Sequence, residues 1–134
     1  MEHRNLYPAL VTLLALLVYF WIMMRAGAAR GKHGIKAPAI TGHPDFERKL
    51  RVQQNTVELL VMFIPSLWIF SLTIQVLVGA ALGLIFVLGR IIYALSYTAD
   101  PEKRSLGFGL SILPVLILLI GGLVGVIRLM IMDM

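Results

Sequence analysis

The stretch Phe46-Glu47-Arg48-Lys49-Leu50-Arg51-Val52-Gln53-Gln54-Asn55-Thr56-Val57-Glu58, FERKLRVQQNTVE, leads straight into a run without a charged residue from Leu59 to Gly89. Read as one helix, it places Arg48, Arg51, Asn55 and Glu58 at a three, four, three spacing, so the four share a face. A polar stripe entering a bilayer-length apolar helix is expensive unless it meets water, a protein partner or a ligand. The stripe is therefore a candidate functional site, and the helix that carries it a candidate membrane span.

Composition supports a membrane location. Hydrophobic residues make up 59% of the 134 and charged residues 14%, against about 45 to 50% and about 25% in soluble domains. The mean hydropathy is +0.88. A net charge of +5 would suit a nucleic-acid binder, but the basic residues gather at the predicted membrane edges and leave no soluble domain to read a groove, so no nucleic-acid partner is expected. The chain contains no cysteine, which excludes disulfides and any thiol chemistry of its own. His3, His33 and His43 lack metal-ligand spacing and read as loop polarity, with no metal expected.

Outward from the opening stretch, the chain divides into four apolar segments, giving an all-α integral membrane fold, a four-transmembrane-helix bundle, as a single domain over 1–134. Leu6 to Met24 carries no charge over nineteen residues, roughly 28 Å of helix and close to the hydrocarbon thickness. It is longer than the core of a signal peptide, about 7 to 15 residues, which predicts a retained helix over about 5–25. Gly31, Gly34 and Pro38 predict a loop from Arg25 to Pro44, and Asp45 is the expected cap of a second helix over about 46–72, bent at Pro65. The uncharged run is too long for one crossing and is expected to break between Ser71 and Gln75. A third helix then covers about 75–97, with Gly79 and Gly83 as packing positions. After a turn at Asp100-Pro101, a fourth covers about 102–132, with Pro114 as a kink and Gly121, Gly122 and Gly125 as packing positions.

Four crossings put both termini on one side and the first and third loops on the other. Arg25, Arg30, Lys32, Lys36, Arg48, Lys49, Arg51, Arg90, Lys103 and Arg104 lie near those loops, while Arg4 and Arg128 lie at the opposite side. The positive-inside rule places the loops in the cytoplasm, together with the polar cluster.

That cluster offers Arg30, Arg51, Arg90 and Arg104 as cations, Glu58 as a carboxylate, and Gln53, Asn55, Tyr93, Tyr97 and Ser105 as neutral hydrogen-bonding groups. Lipid phosphate explains Arg25, Lys32, Lys36 and Lys49. It does not explain Glu58. A ligand with several anionic groups, one ammonium, amides and a thiol matches the whole set, and glutathione is such a ligand. An arginine beside that thiol would stabilise the thiolate, with Arg104 favoured by the amino end of the fourth helix. Plainer readings stand beside this one: Tyr93 and Tyr97 as interfacial aromatics, Arg90 as the partner of a second-helix carboxylate, and Glu58 in an ion pair with Arg51 alone.

Phe46-Glu47-Arg48, Arg51-x-Gln53-x-Asn55-x-x-Glu58, Arg90-x-x-Tyr93-x-x-x-Tyr97 and Arg104, with Pro38 and Thr41-Gly42 in the first loop, resemble the MAPEG family of membrane-associated proteins in eicosanoid and glutathione metabolism, in its microsomal glutathione transferase and leukotriene C4 synthase-like branch. The resemblance covers nearly the whole chain. It implies a homotrimer in the membrane lipid, with glutathione as co-substrate between subunits near the cytosolic face. On this likeness Arg30, Arg51, Gln53, Asn55, Glu58, Tyr93 and Tyr97 would hold the peptide, and Arg104 would be catalytic, holding its thiolate for a lipophilic electrophile or hydroperoxide. Arg104-Ser105 also resembles a dipeptide of the prostaglandin E synthase branch. Two positions depart: Gly31 stands where a second arginine would follow Arg30, and Leu59 where a tyrosine would follow Glu58. The first departure removes a proposed acid for epoxide opening and points away from leukotriene synthesis, toward conjugation or peroxide reduction. The other readings are a non-catalytic lipid-binding member of the same fold and a small proton-coupled drug exporter. Arg104 with Tyr93 speaks against the former, and a glutamate ringed by arginines against the latter.

Overall fold

The structure is a computed structural model describing residues 1–134. It contains four long helices, α1 (Leu6–Lys32), α2 (Pro44–Thr73), α3 (Val76–Ala99) and α4 (Ser105–Met132), with single 3₁₀ turns at His3–Asn5 and Pro101–Lys103. All four are long and apolar enough to cross a membrane. Leucines, isoleucines and valines around the outside remain exposed, among them Leu13, Leu17, Val61, Leu113, Ile120 and Leu123. Helices apolar on every side suit lipid as the outer solvent.

The interior holds together by shape. Phe63 of α2 and Phe86 of α3 stack with centroids 3.9 Å apart, and Val11, Ala15, Leu67, Phe70, Val115 and Leu118 close around them from α1, α2 and α4. Trp68 Nε1 donates to Thr12 Oγ1 at 3.0 Å, joining α2 to α1. The glycines read from the sequence as packing positions serve that purpose, since a Cβ at Gly83 would stand 2.6 Å from Val11 and one at Gly121 would stand 2.5 Å from the Phe70 ring.

Several boundaries differ from the sequence reading. α1 continues seven residues beyond the expected end and reaches Lys32, because Ala26, Ala28 and Ala29 favour helix and the small Ala26 and Ala29 are buried. At 27 residues it is about 40 Å long, so its last turns extend past a hydrocarbon core of about 30 Å. The cap of α2 is His43, not Asp45: Pro44 occupies the first helical position and has no N–H, and His43 Nδ1 accepts from the Asp45 amide at 3.1 Å. Asp45 instead pairs with His33 Nε2 at 3.0 Å and Lys49 Nζ at 3.1 Å. The rings of His33 and His43 stack 3.6 Å apart, so two residues read as loop polarity latch the end of α1 to the start of α2. α2 and α3 separate at Ile74-Gln75, at the break expected, and the Gln75 side chain accepts from the amides of Leu77 and Val78. Pro65 and Pro114 lie inside α2 and α4.

α4 begins at Ser105, three residues later than the sequence suggested. Asp100 Oδ1 accepts from the Glu102 amide at 3.1 Å and winds Pro101–Lys103 into a separate turn. Arg104 therefore occupies the cap position, and no side chain caps the helix. This places its guanidinium at the mouth of the bundle.

Candidate functional site

α3 and α4 touch backbone to backbone near their loop. A Cβ at Gly107 would lie 2.5 Å from Tyr93 N and Cα, and one at Gly89 would lie 2.7 Å from the Leu110 carbonyl carbon. Because α4 comes this close, Tyr93 and Tyr97 stand beside the start of α4. α2 completes the wall. The result is a cleft of about 660 Å³ lined by Arg51, Tyr93, Tyr97, Arg104, Ser105, Phe108 and Gly109. The Tyr93 and Tyr97 rings stack 5.5 Å apart, and Phe108 tilts against Tyr93 at 6.4 Å. A smaller cleft of about 290 Å³ shares Arg51 and Tyr97 and adds Pro44, Glu47, Arg48 and Pro101.

Five sequence candidates, Arg51, Tyr93, Tyr97, Arg104 and Ser105, thus come from three helices to one cavity. Phe108, Gly109 and Arg48 line the clefts as well. Phe108 and Gly109 carried no polar signal that spacing could detect, while Arg48 was visible on the polar stripe but was not assigned to the site.

The remaining candidates lie elsewhere. Asn55 is one turn along α2 from Arg51, with its Oδ1 accepting from Arg90 Nη1 at 2.7 Å. Glu58 is exposed on the outside of α2. Its expected alternative, an ion pair with Arg51, does not form; the ion pairs in the chain are those of Asp45 with His33 and Lys49. Gln53 is half-buried and sits about 200° around α2 from Arg51, since each residue advances the helix by about 100°. Arg30 donates to the Ala39 carbonyl at 2.8 Å and lies 4.6 Å over the Phe46 ring, outside the cleft.

Arg90 differs from its sequence reading. It is 1% exposed and pairs with no carboxylate, because the second-helix groups facing it are the neutral Asn55 and Thr56. Its Nε donates to Ser111 Oγ at 2.8 Å, and its guanidinium lies 4.5 Å over the Tyr93 ring. These contacts place Arg90 behind the aromatic wall of the cleft.

Two arginines in the cleft, no acid among its lining residues and an aromatic wall suit an anionic ligand with an amphipathic body. The uncapped start of α4 adds outward amides and the positive end of a helix dipole beside Ser105. No group of acidic or histidine side chains has metal-binding geometry.

Comparison with known proteins covers most of the chain. The model of the MAPEG family matches residues 8–124. The chain is 45% identical over 122 residues to an uncharacterized protein of Synechocystis sp., covering 91% of this chain and 89% of the other. It is 33% identical over 126 residues to microsomal glutathione S-transferase 2 of Homo sapiens, covering 94% and 86%. To leukotriene C4 synthase of Cavia porcellus it is 31% identical over 96 residues, covering 72% and 64%.

Proposed function

The chain belongs to the MAPEG family, and on that premise we propose that it is a membrane-bound glutathione S-transferase that holds the glutathione thiolate in the Arg51–Tyr93–Arg104 cleft. The observation that carries this reading is the cleft itself: cations from α2 and α4 and two phenols from α3 around one cavity with no acid in its lining. The relative named microsomal glutathione S-transferase 2 supports the ligand class.

In this reading Arg51 and Asn55 bind carboxylate groups of the tripeptide, Tyr93 and Tyr97 hydrogen-bond its backbone, and Glu58 holds its ammonium group. Arg104 faces the sulfur. A thiol with a pKa of about 8.5 is mostly protonated at neutral pH, and a guanidinium shifts it toward the anion by Coulomb attraction and a charge-assisted hydrogen bond. Ser105 and the first amides of α4 add to the same potential. Arginine holds its proton too tightly to act as a base, so its contribution is electrostatic and the thiol proton leaves to water. The thiolate then forms a bond to an electrophilic carbon, and the displaced or ring-opened group takes the electron pair. With a lipid hydroperoxide it attacks the terminal oxygen and breaks the O–O bond. A proton completes the lipid alcohol, leaving the sulfenic acid of glutathione, and a second glutathione condenses with it to give the disulfide and water.

Arg30 and Gln53 belong to the same site if the protein is a homotrimer. Gln53 and Arg51 project from opposite sides of α2, so the helix would serve one cleft with each face, its own with Arg51 and its neighbour's with Gln53, joined there by Arg30 of α1. Glu58, exposed in the single chain, would then face the bound peptide and the neighbouring subunit. The basic first and third loops support a cytoplasmic position for the cleft, with the termini on the other side.

Ultraviolet difference absorbance of the purified protein titrated with glutathione tests the reading. The expected result is a thiolate band near neutral pH that is absent in Arg104→Ala. Glutathione binding without thiolate formation, or no binding at all, would overturn it.

A further inference from the structure

Arg90 is the largest fully buried side chain, a cation without a carboxylate partner. Its Nη1 donates to Asn55 Oδ1 at 2.7 Å and Thr56 Oγ1 at 3.2 Å, and its Nε donates to Ser111 Oγ at 2.8 Å. The two hydroxyls spend their own protons elsewhere: Thr56 donates to the Val52 carbonyl and Ser111 to the Gly107 carbonyl, each at 2.7 Å. They therefore present only lone pairs to the guanidinium. Arginine has donors and no acceptor, so the oxygen end of the Asn55 amide is the end that turns toward it. The amide NH₂ is thereby left free of the guanidinium and available as a donor to a ligand.

We infer that Arg90 is a positioning residue: it sets the Asn55 amide so that its two N–H groups face the bound thiol peptide as donors to a carboxylate, and it fixes the Tyr93 ring from behind. The inference rests on the glutathione reading and adds a residue that does not touch the ligand. A neutral partner such as serine or glutamine would accept either end of the amide and leave its orientation unfixed. A charged donor set removes that ambiguity, which gives a buried, unpaired cation a purpose despite its desolvation penalty.

Asn55→Asp separates this role from simple core packing. The substitution keeps an oxygen facing Arg90 and supplies the missing counter-charge, but removes both donors. The expected result is a thermal midpoint equal to or above that of the unaltered protein and a glutathione Kd weakened about tenfold or more, as loss of a charge-assisted hydrogen bond implies. Unchanged glutathione binding by Asn55→Asp would overturn the inference while leaving the proposed function intact. No glutathione binding by the unaltered protein would overturn both. Arg90→Gln provides a second readout, with KM for glutathione raised several-fold, kcat at saturation retained because Arg104 is untouched, and partial recovery in Arg90→Lys. A fall in kcat with KM unchanged would contradict the positioning role.

Discussion

Gly107, near the start of α4, rests on the backbone of Tyr93 in α3, and a Cβ at position 107 would stand 2.5 Å from both Tyr93 N and Cα. Neither of those atoms belongs to a flexible side chain, so the two helices must move apart to admit any larger residue. The contact also sets the distance between Tyr93 and Arg104, one helical turn before Gly107. Gly107→Ala is expected to destabilise the protein by about 1–3 kcal/mol, the usual range for overpacking, and to weaken glutathione binding by displacing Arg104 from the tyrosines. Gly27 is the control, because a Cβ there meets nothing within 4 Å. Gly27→Ala should stabilise α1 by about 0.5–1 kcal/mol. Thermal unfolding in detergent measures both, and equal shifts in the two variants would contradict the close-approach argument.

Arg104 caps α4 through its backbone alone, its carbonyl accepting from the Phe108 amide at 3.0 Å while its side chain makes no cap bond, so the side chain can be changed without loss of a capping interaction. Arg104→Ala should reduce kcat by about 10²-fold, the scale seen when one stabilising donor to a developing anion is removed. Arg104→Lys should lose less, since a point charge remains while the planar fork does not. Steady-state rates with a model aryl halide check the order. Equal rates in Ala and Lys variants would show that charge at this position is irrelevant.

Much of this arrangement could be read before any coordinates. The uncharged runs determined four spans because lipid demands length and apolarity, and the three, four, three stripe marked α2 because charges inside a membrane are rarely idle. Arg51 follows from that stripe, while the site roles of Tyr93, Tyr97 and Arg104 rest on the family resemblance. Capping was less legible, because Asp45 is a good cap by type, yet Pro44 gave that place to His43. The extension of α1 was obscured by Gly27 and Gly31, whose low helix propensity is outweighed by alanines that pack. Arg90 was misread for another reason. A buried arginine suggests a carboxylate, but here hydroxyls and an amide accept from its Nε and Nη1 while Nη2 has no partner, and such neutral partners leave no distinctive spacing in a sequence.

The bond from Trp68 Nε1 to Thr12 Oγ1 spans α2 and α1 at 3.0 Å, and the Thr12 hydroxyl donates in turn to the Pro8 carbonyl at 2.7 Å. Thr12→Val keeps the shape and removes the acceptor, leaving the indole N–H without a partner in apolar surroundings. Interhelical hydrogen bonds of this kind are worth about 1 kcal/mol in membranes. The expected outcome is a loss of that size together with a blue shift of the Trp68 emission, read against a Trp21→Phe background. An unchanged spectrum would show that the indole finds another partner.

The opposite projection of Arg51 and Gln53 on α2 leads to a test by complementation. If both residues act within one chain, Arg51→Ala and Gln53→Ala each disable every site, and co-expressing the two chains restores nothing. If the site lies between subunits, a mixed assembly contains some clefts in which Arg51 comes from the Gln53→Ala chain and Gln53 from the Arg51→Ala chain. Those clefts hold a full residue set. Co-expression should then recover glutathione-dependent activity that neither variant has alone, and Arg51→Ala with Arg104→Ala should not complement, because Arg51 and Arg104 line the same cleft of one chain. Recovery in the first pairing and none in the second would mark α2 as the helix shared by two sites, whereas recovery in neither would place Gln53 in the packing of its own subunit.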